Sequence, residues 1–335
     1  MKAPFFSIVI PVYNGLTHDL PKCLDSIWNQ PLDKESYEVI CVDDCSTDST
    51  RAWLKEQQSI FNNLHIIENE VNIRQGGGRN KGVKAAKGEY IVFIDQDDYY
   101  HHDAIARVYN HLKENNLDIL IVDCAYQSPG KESNELQHNF PHREIMTGDE
   151  IIEKNSIPYA PWKFIFKRSH MIEKGLFFAE NERIEDVDWV HRLTHHAQRV
   201  QYQPILFIHY NKTNISTTMT SYKSCETVYS TLRLAKRMNE MIDTEFAQSS
   251  KGVKNEIRRI SEMMAYIGIR SYLFFKDKAN IKAQNIKDCI TGNINGNLFV
   301  KWAKKQPYTF SVASNIIYPL GRLAMIVYRK IKYRQ

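Results

Sequence analysis

Residues 90–98 read Tyr90-Ile91-Val92-Phe93-Ile94-Asp95-Gln96-Asp97-Asp98, five apolar residues that run directly into a segment with three carboxylates. A short apolar run rich in β-branched and aromatic side chains predicts a strand buried on both faces. Carboxylates at the end of such a strand repel one another unless a cation or a basic partner sits among them. A hard divalent ion resolves the conflict. Mg²⁺ and Mn²⁺ prefer oxygen ligands, take one or two protein carboxylates, and fill their other positions with water and substrate phosphates. Read in isolation, the same motif also fits a solvated acidic turn.

Working outward, residues 7–11, 38–42, 64–68 and 119–122 form further β-branched apolar runs, separated by amphipathic helical stretches at 20–29, 49–58 and 103–115. This alternation predicts an α/β fold with a mainly parallel sheet flanked by helices, in which ligands bind beyond the carboxyl ends of the strands. Pro11, Val12, Tyr13 and Asn14 follow the first strand. Asp43 and Asp44 follow the second and lead into Cys45-Ser46-Thr47-Asp48-Ser49. A carboxylate at Asp44 suits a base N–H or a ribose hydroxyl, while Asp48 or Ser49 suits a cap for the next helix. Residues 75–82, Gln-Gly-Gly-Gly-Arg-Asn-Lys-Gly, let a backbone approach a ligand or a neighbouring element closely, with Arg79 facing a diphosphate or a base. The segment has neither the Lys-Ser/Thr of a P-loop nor the spacing of a dinucleotide fingerprint, which weakens ATPase and dehydrogenase readings.

Taken in order, Ser-Ile-Val-Ile-Pro-Val-Tyr-Asn at 7–14, Val-Asp-Asp-Cys-Ser-Thr-Asp at 42–48, Gly-Arg-Asn-Lys-Gly at 78–82 and Phe-Ile-Asp-Gln-Asp-Asp at 93–98 resemble the inverting family 2 glycosyltransferases of GT-A fold. The resemblance is close over the first 125 residues and looser to about residue 220. It implies a Rossmann-like nucleotide-binding fold with a C-terminal helical extension and a nucleotide-sugar donor, a UDP-sugar being favoured. Tyr13 and Asp44 would hold the base, Arg79 would lie near the base or diphosphate, and Pro11, Val12, Asn14, Asp43, Asp95 and Gln96 would line the same site. The implied metal, Mn²⁺ or Mg²⁺, would fall to Asp97 first, then Asp98, with His209 as a further ligand. A satisfied core histidine is the plainer reading of His209.

Residues 184–193 resemble the family's second acidic signature. An inverting reaction needs a base opposite the leaving diphosphate, which assigns Asp186 that role beside Glu185. The competing reading is that both carboxylates complement a helix dipole. Trp162, in Pro161-Trp162-Lys163-Phe164, resembles the family's aromatic wall for a glycan or lipid-linked acceptor, and an ordinary core tryptophan is the alternative. The segment from His209 to Thr218 resembles one that closes over the diphosphate. A nucleotidyltransferase, or a binding module that has lost its chemistry, are the competing functions.

Three regions are expected: a nucleotide-sugar half at 1–125, an acceptor and base half at 126–225, and a basic helical region at 226–335. The net charge of +5 is uneven: residues 251–335 hold 17 Lys and Arg against 4 Asp and Glu, a net +13, which leaves −8 for residues 1–250. The six cysteines include no C-x-x-C pair and suit buried thiols. His191 and His195, four apart on a helix face, lack an obvious third zinc ligand. Met1 to Pro4 lead straight into a strand without a signal-peptide pattern, so a cytoplasmic protein is expected. The basic, apolar stretch 310–333 is expected to dock on the inner face of a membrane, with packing on the protein's own acidic body as the alternative. No nucleic-acid motif accompanies the basic region.

Overall fold

The computed structural model describes residues 3–128, 131–133, 140, 143–211 and 225–274. The chain divides into two compact units, Met1–Ile215 and Ser216–Gln335.

The first unit is built on one sheet of nine strands among the described residues, in the order β3-β2-β1-β4-β8-β6-β9-β5, with β7 paired to β6. The strands are β1 (Phe6–Val12), β2 (Tyr37–Asp43), β3 (Leu64–Glu68), β4 (Tyr90–Phe93), β5 (Tyr99–Tyr100), β6 (Ile119–Ser128), β7 (Lys131–Ser133), β8 (Phe164–Lys167) and β9 (Val200–Asn211). The pairings β3-β2, β2-β1 and β1-β4 are parallel. Strand β8 is antiparallel to both β4 and β6, so β6 and its parallel partner β9 run the same way as β1–β4. The carboxyl ends of β1, β2, β4 and β9 therefore open onto one edge, where Tyr13, Asp44, Asp95 and Asn211 lie.

The five strands and the helices at 20–29, 49–58 and 103–115 expected from the sequence are present, the helices as α1 (Leu20–Trp28), α2 (Thr50–Ile60) and α4 (Ala104–Asn115). Strands β1, β2 and β4 are buried along their whole length, as two-sided coverage by helices demands. Strands β8 and β9 were not legible. The first hides in the aromatic segment after a 3₁₀ turn, Pro161–Lys163, and the second carries Pro204 and alternates poorly.

The glycine-rich segment lies inside helix α3 (Arg74–Ala85). Glycines in a helix interior cost about 0.5–1 kcal/mol each relative to alanine. Here they permit close packing: a Cβ on Gly82 would fall 2.3 Å from Val9 Cγ1, and one on Gly76 would fall 2.9 Å from Glu185 Cγ. Of the two roles open to these glycines, approach to a neighbouring element accounts for their contacts.

The remaining α-helices of this unit among the described residues are α5 (Gly148–Lys154), α6 (Arg168–Glu173) and α7 (Asp186–His195). Strand β6 crosses the expected boundary at residue 125, so the two expected halves share one sheet. The second unit begins at Ser216 rather than near 226 and contains α8 (Cys225–Met241) and α9 (Lys251–Phe274). Gly268 of α9 packs on Leu232 of α8 closely enough that an added Cβ would fall 2.7 Å from Leu232 Cδ2. No helix among the described residues is long and apolar enough to cross a membrane. The stretch expected to dock on a membrane lies outside the described residues.

Candidate active site

The acidic turn after β4 meets the start of α7 through one side chain. Arg79 on α3 is 2% exposed; its Nη2 donates to Asp95 Oδ1 at 2.7 Å and its Nη1 to Glu185 Oε1 at 2.9 Å. Burial alone would weaken the guanidinium's hold on its proton, but the charges of Asp95 and Glu185 override it and raise the pKa. The arginine expected beside a base or diphosphate is thus committed to two carboxylates of the protein itself. What the sequence spread over more than a hundred residues, α3 draws together.

Burial also shapes the acids. It outweighs the opposing pull of Arg79 and leaves the Glu185 carboxyl above its ordinary range. Burial and then the Glu185 charge push Asp186 up to about 8. The start of α7 is held by Trp189, whose Nε1 donates to Leu176 O at 2.8 Å and whose ring stacks on Phe178 at 4.1 Å. Asn80 anchors the same segment, its Nδ2 donating to Phe178 O and its Oδ1 accepting from Phe178 N.

Asp97 and Asp98 face a different balance. Burial, then the charge of Asp95, pushes Asp97 up to about 6, and the same causes raise Asp98 well above the carboxylate range. Asp98 is 1% exposed; its Oδ1 accepts from Asn211 N at 2.9 Å, while its Oδ2 is buried without a hydrogen-bond partner. A buried, unsatisfied carboxylate oxygen beside a second destabilised carboxylate fits a divalent cation, which would supply the missing positive charge. His209 pairs in register with Tyr99, and its ring lies parallel to those of Tyr99 at 4.6 Å and His101 at 5.4 Å. Stacking of this kind accounts for the ring's placement without a metal. Elsewhere, ligand atoms of His101, His102 and Asp103 lie within 4.8 Å of one another, but Arg107 reaches the same Asp103 oxygen at 3.3 Å and opposes a cation there.

The nucleotide-side residues divide into buried supports and open contacts. Asp43 is buried and accepts from Arg51 Nε at 2.5 Å and Ser46 N at 3.2 Å. Asp44 was read as a free acceptor. It is also buried, and accepts from Asn69 Nδ2, Ile73 N and Arg74 N at 3.0, 2.7 and 2.7 Å, so it caps the start of α3. Asp48 accepts from Thr50 N at the start of α2, the expected capping role. Pro11 and Val12 are buried and paired with β2, and Val12 O accepts from Asp44 N at 2.7 Å, so they shape the edge rather than offer it side chains. Tyr13, by contrast, is 43% exposed. Asn14, in left-handed conformation at φ 50°, donates from its N to Ser46 Oγ and accepts at Oδ1 from Thr47 N. Gln96 bonds both ways to the Tyr13 backbone.

Trp162 is 8% exposed and stacks on Tyr210 at 5.6 Å. Its neighbour Lys163 is buried against Asp123 at 3.1 Å, and Asp123 also accepts from Tyr202 Oη at 2.5 Å. Nothing in the spacing of Asp123, Lys163 and Tyr202 announces this trio, because three separate strands or turns supply it. Asn211 was also missed; it ties Asp98 to Asp19, a residue at φ 61° beside the acidic turn. His191 is buried, with Nδ1 2.6 Å from Val187 O, and His195 pairs with Asp149, so each has a partner other than zinc. Cys23, Cys41 and Cys124 are buried free thiols, as expected, while Cys45 is half-buried.

A mainly parallel α/β sheet with an acidic turn at its carboxyl edge, and beside it the buried Glu185 and half-buried Asp186, is a Rossmann-like architecture, which places ligands at that edge. The profile of Glycosyl transferase family 2 matches residues 7–176, just over half of the chain, and the chain belongs to that family. It is 50% identical over 117 residues to the poly(ribitol-phosphate) beta-glucosyltransferase of Bacillus spizizenii, a match covering 34% of this chain and 18% of that protein. With the putative glycosyltransferase EpsH of Bacillus subtilis it shares 28% identity over 216 residues, covering 63% of this chain and 61% of EpsH. The chain thus spans less than two thirds of either relative. The crystal structure of Staphylococcus aureus TarS 1-349 in complex with UDP-GlcNAc superposes with a TM-score of 0.66 at 21% identity, covering 96% of this chain and 92% of that one, and shows the same fold.

Proposed function

We propose that this chain is an inverting glycosyltransferase that moves a sugar from a UDP-sugar to a hydroxyl of a glycan or lipid-linked glycan acceptor. The observation that carries the reading is the Arg79 bridge, which brings the acidic turn of β4 and the Glu185-Asp186 pair to one place. A donor diphosphate at the turn and an acceptor hydroxyl at Asp186 would then flank one anomeric carbon. Asp186 takes the acceptor's proton as the oxygen attacks, and the nucleoside diphosphate leaves from the opposite face. A divalent ion, held by Asp97 and Asp98, would neutralise the charge that grows on the leaving phosphate. Tyr13 covers the base, and Trp162 with Tyr210 offers a wall to an acceptor sugar.

A screen of UDP-, GDP- and dTDP-sugars for metal-dependent nucleoside diphosphate release tests this. Release of UDP is the expected result. Release of pyrophosphate would mean nucleotidyl transfer, and tight donor binding without turnover would mean a binding module. A ribitol-phosphate polymer, named for the 50% identical relative, is the first acceptor to try. Docking of the basic tail on the inner face of a membrane is part of the same proposal, supported by the five Lys and Arg and the absence of Asp and Glu in residues 307–335. Sedimentation with anionic liposomes should pellet the full chain and spare a truncation after Gln306.

A further inference from the structure

Two side-chain amides in the first unit grip a backbone from both sides. Asn80 does so on Phe178 in the interior, where the bonds hold a core segment. Gln96 does so on Tyr13 at the open edge of the sheet: its Oε1 accepts from Tyr13 N at 2.9 Å and its Nε2 donates to Tyr13 O at 2.9 Å. Only one orientation of the amide satisfies both bonds, so the side chain is fixed as well as anchored. Gln96 sits between Asp95 and Asp97, within the acidic turn itself. On its other side the Tyr13 loop is tied to the turn after β2, through Asn14 to Ser46 and Thr47.

We infer that Gln96 is a positioning residue that couples the two ends of the donor site, holding the Tyr13 ring in register with the acidic turn. The inference rests on the proposed donor site and adds to it how base and diphosphate recognition are joined. Three observations support it. Tyr13 leaves 43% of its surface exposed although it directly follows a fully buried strand, which suits a ring that awaits a flat partner. Asn14 turns the chain sharply through a left-handed conformation, so without a second tie the Tyr13 peptide has freedom to rotate. And the Gln96 amide spends its bonds on the Tyr13 backbone, so its effect on a donor passes through that loop.

The experiment uses the full chain and its Gln96→Ala and Gln96→Met variants. Methionine keeps the reach of glutamine but neither donates nor accepts as an amide does. UDP affinity is measured by calorimetry with Mn²⁺ present, donor KM and kcat by UDP release, and Tyr13 amide exchange by NMR in the free protein. Both variants should bind UDP about tenfold more weakly, as loss of two solvent-exposed hydrogen bonds implies, and raise donor KM to match, with kcat at saturating donor within about threefold of wild type. Tyr13 N–H exchange should quicken about tenfold in both. Unchanged UDP affinity in the variants, or a fall in kcat with KM unmoved, would overturn the inference while leaving the donor site standing. A wild-type chain that binds no UDP would overturn the donor reading and this inference with it.

Discussion

The two sides of the candidate site are built from different interactions. Where α3 meets α7, charges are buried and locked: Arg79 holds Asp95 and Glu185, and Asp186 follows in a desolvated setting. Where the β1, β2 and β4 loops meet, the ties are neutral and open to solvent: Gln96 to Tyr13, Asn14 to Ser46 and Thr47. Buried charge is costly and strongly directional, which suits the reacting atoms; neutral bonds near water are worth little each and suit adjustable recognition. The first side should therefore govern rate and the second affinity.

The largest effect expected is on the buried side. Asp186→Asn should keep UDP binding by calorimetry and lose about 10² to 10⁴ in kcat, the range for removing a general base. If Asp188→Asn proves the inactive variant instead, the base has been assigned to the wrong carboxylate. Chelation should abolish transfer, Mn²⁺ or Mg²⁺ should restore it, and Asp97→Ala should lose donor binding together with turnover; full activity after chelation would remove the metal from the proposal.

Arg79→Met should destabilise the fold by about 3–5 kcal/mol, measured by urea unfolding, because it strands two carboxylates around a buried void. A loss below about 1 kcal/mol would show that solvent already serves these acids and that the contrast between the two sides is overdrawn.

The pH dependence follows from the shift of Asp186. Its carboxyl sits near 8 in the folded protein against an ordinary 3.8, so the fold favours the protonated form. That stability is present in full below about pH 4 and is lost as pH rises through about 8. Melting temperature should therefore fall over this window in the wild type and fall less in Asp186→Asn. The base must be ionised to act, so kcat/KM should climb to a plateau above about pH 8. A flat profile between pH 6 and 9 would contradict the shift.

The smallest effect separates the two amide grips. Asn80→Ala should cost about 1–3 kcal/mol by leaving the Phe178 peptide groups buried without partners, while Gln96→Ala should cost under about 1 kcal/mol because water replaces it. Equal losses would mean that the Tyr13 loop is as much a part of the core as Phe178.

Much of this was legible from residue order alone. The strands that lead into Tyr13, Asp44 and Asp95 were visible because an unbroken apolar run has one plausible environment, the middle of a covered sheet. The family followed from four short segments, and the acidic turn, with its need for a cation or a basic partner, followed from simple repulsion. A helix carrying His191 and His195 on one face was expected, and Glu185 with Asp186 fell at the start of α7.

Tertiary structure alone decided which of these residues are already occupied. Asp44 looks like a free acceptor until Ile73 and Arg74 are folded against it, and Arg79 looks like a ligand contact until Asp95 and Glu185 close on it. His209 takes its place from Tyr99, on a two-residue strand too short to be read, and from His101 just beyond it. The physical reason is common to all three. A sequence records which groups can accept, donate or carry charge, because that is chemistry local to each side chain. Which partner satisfies each group is settled by residues that lie tens to more than a hundred positions away and meet only once the sheet has formed.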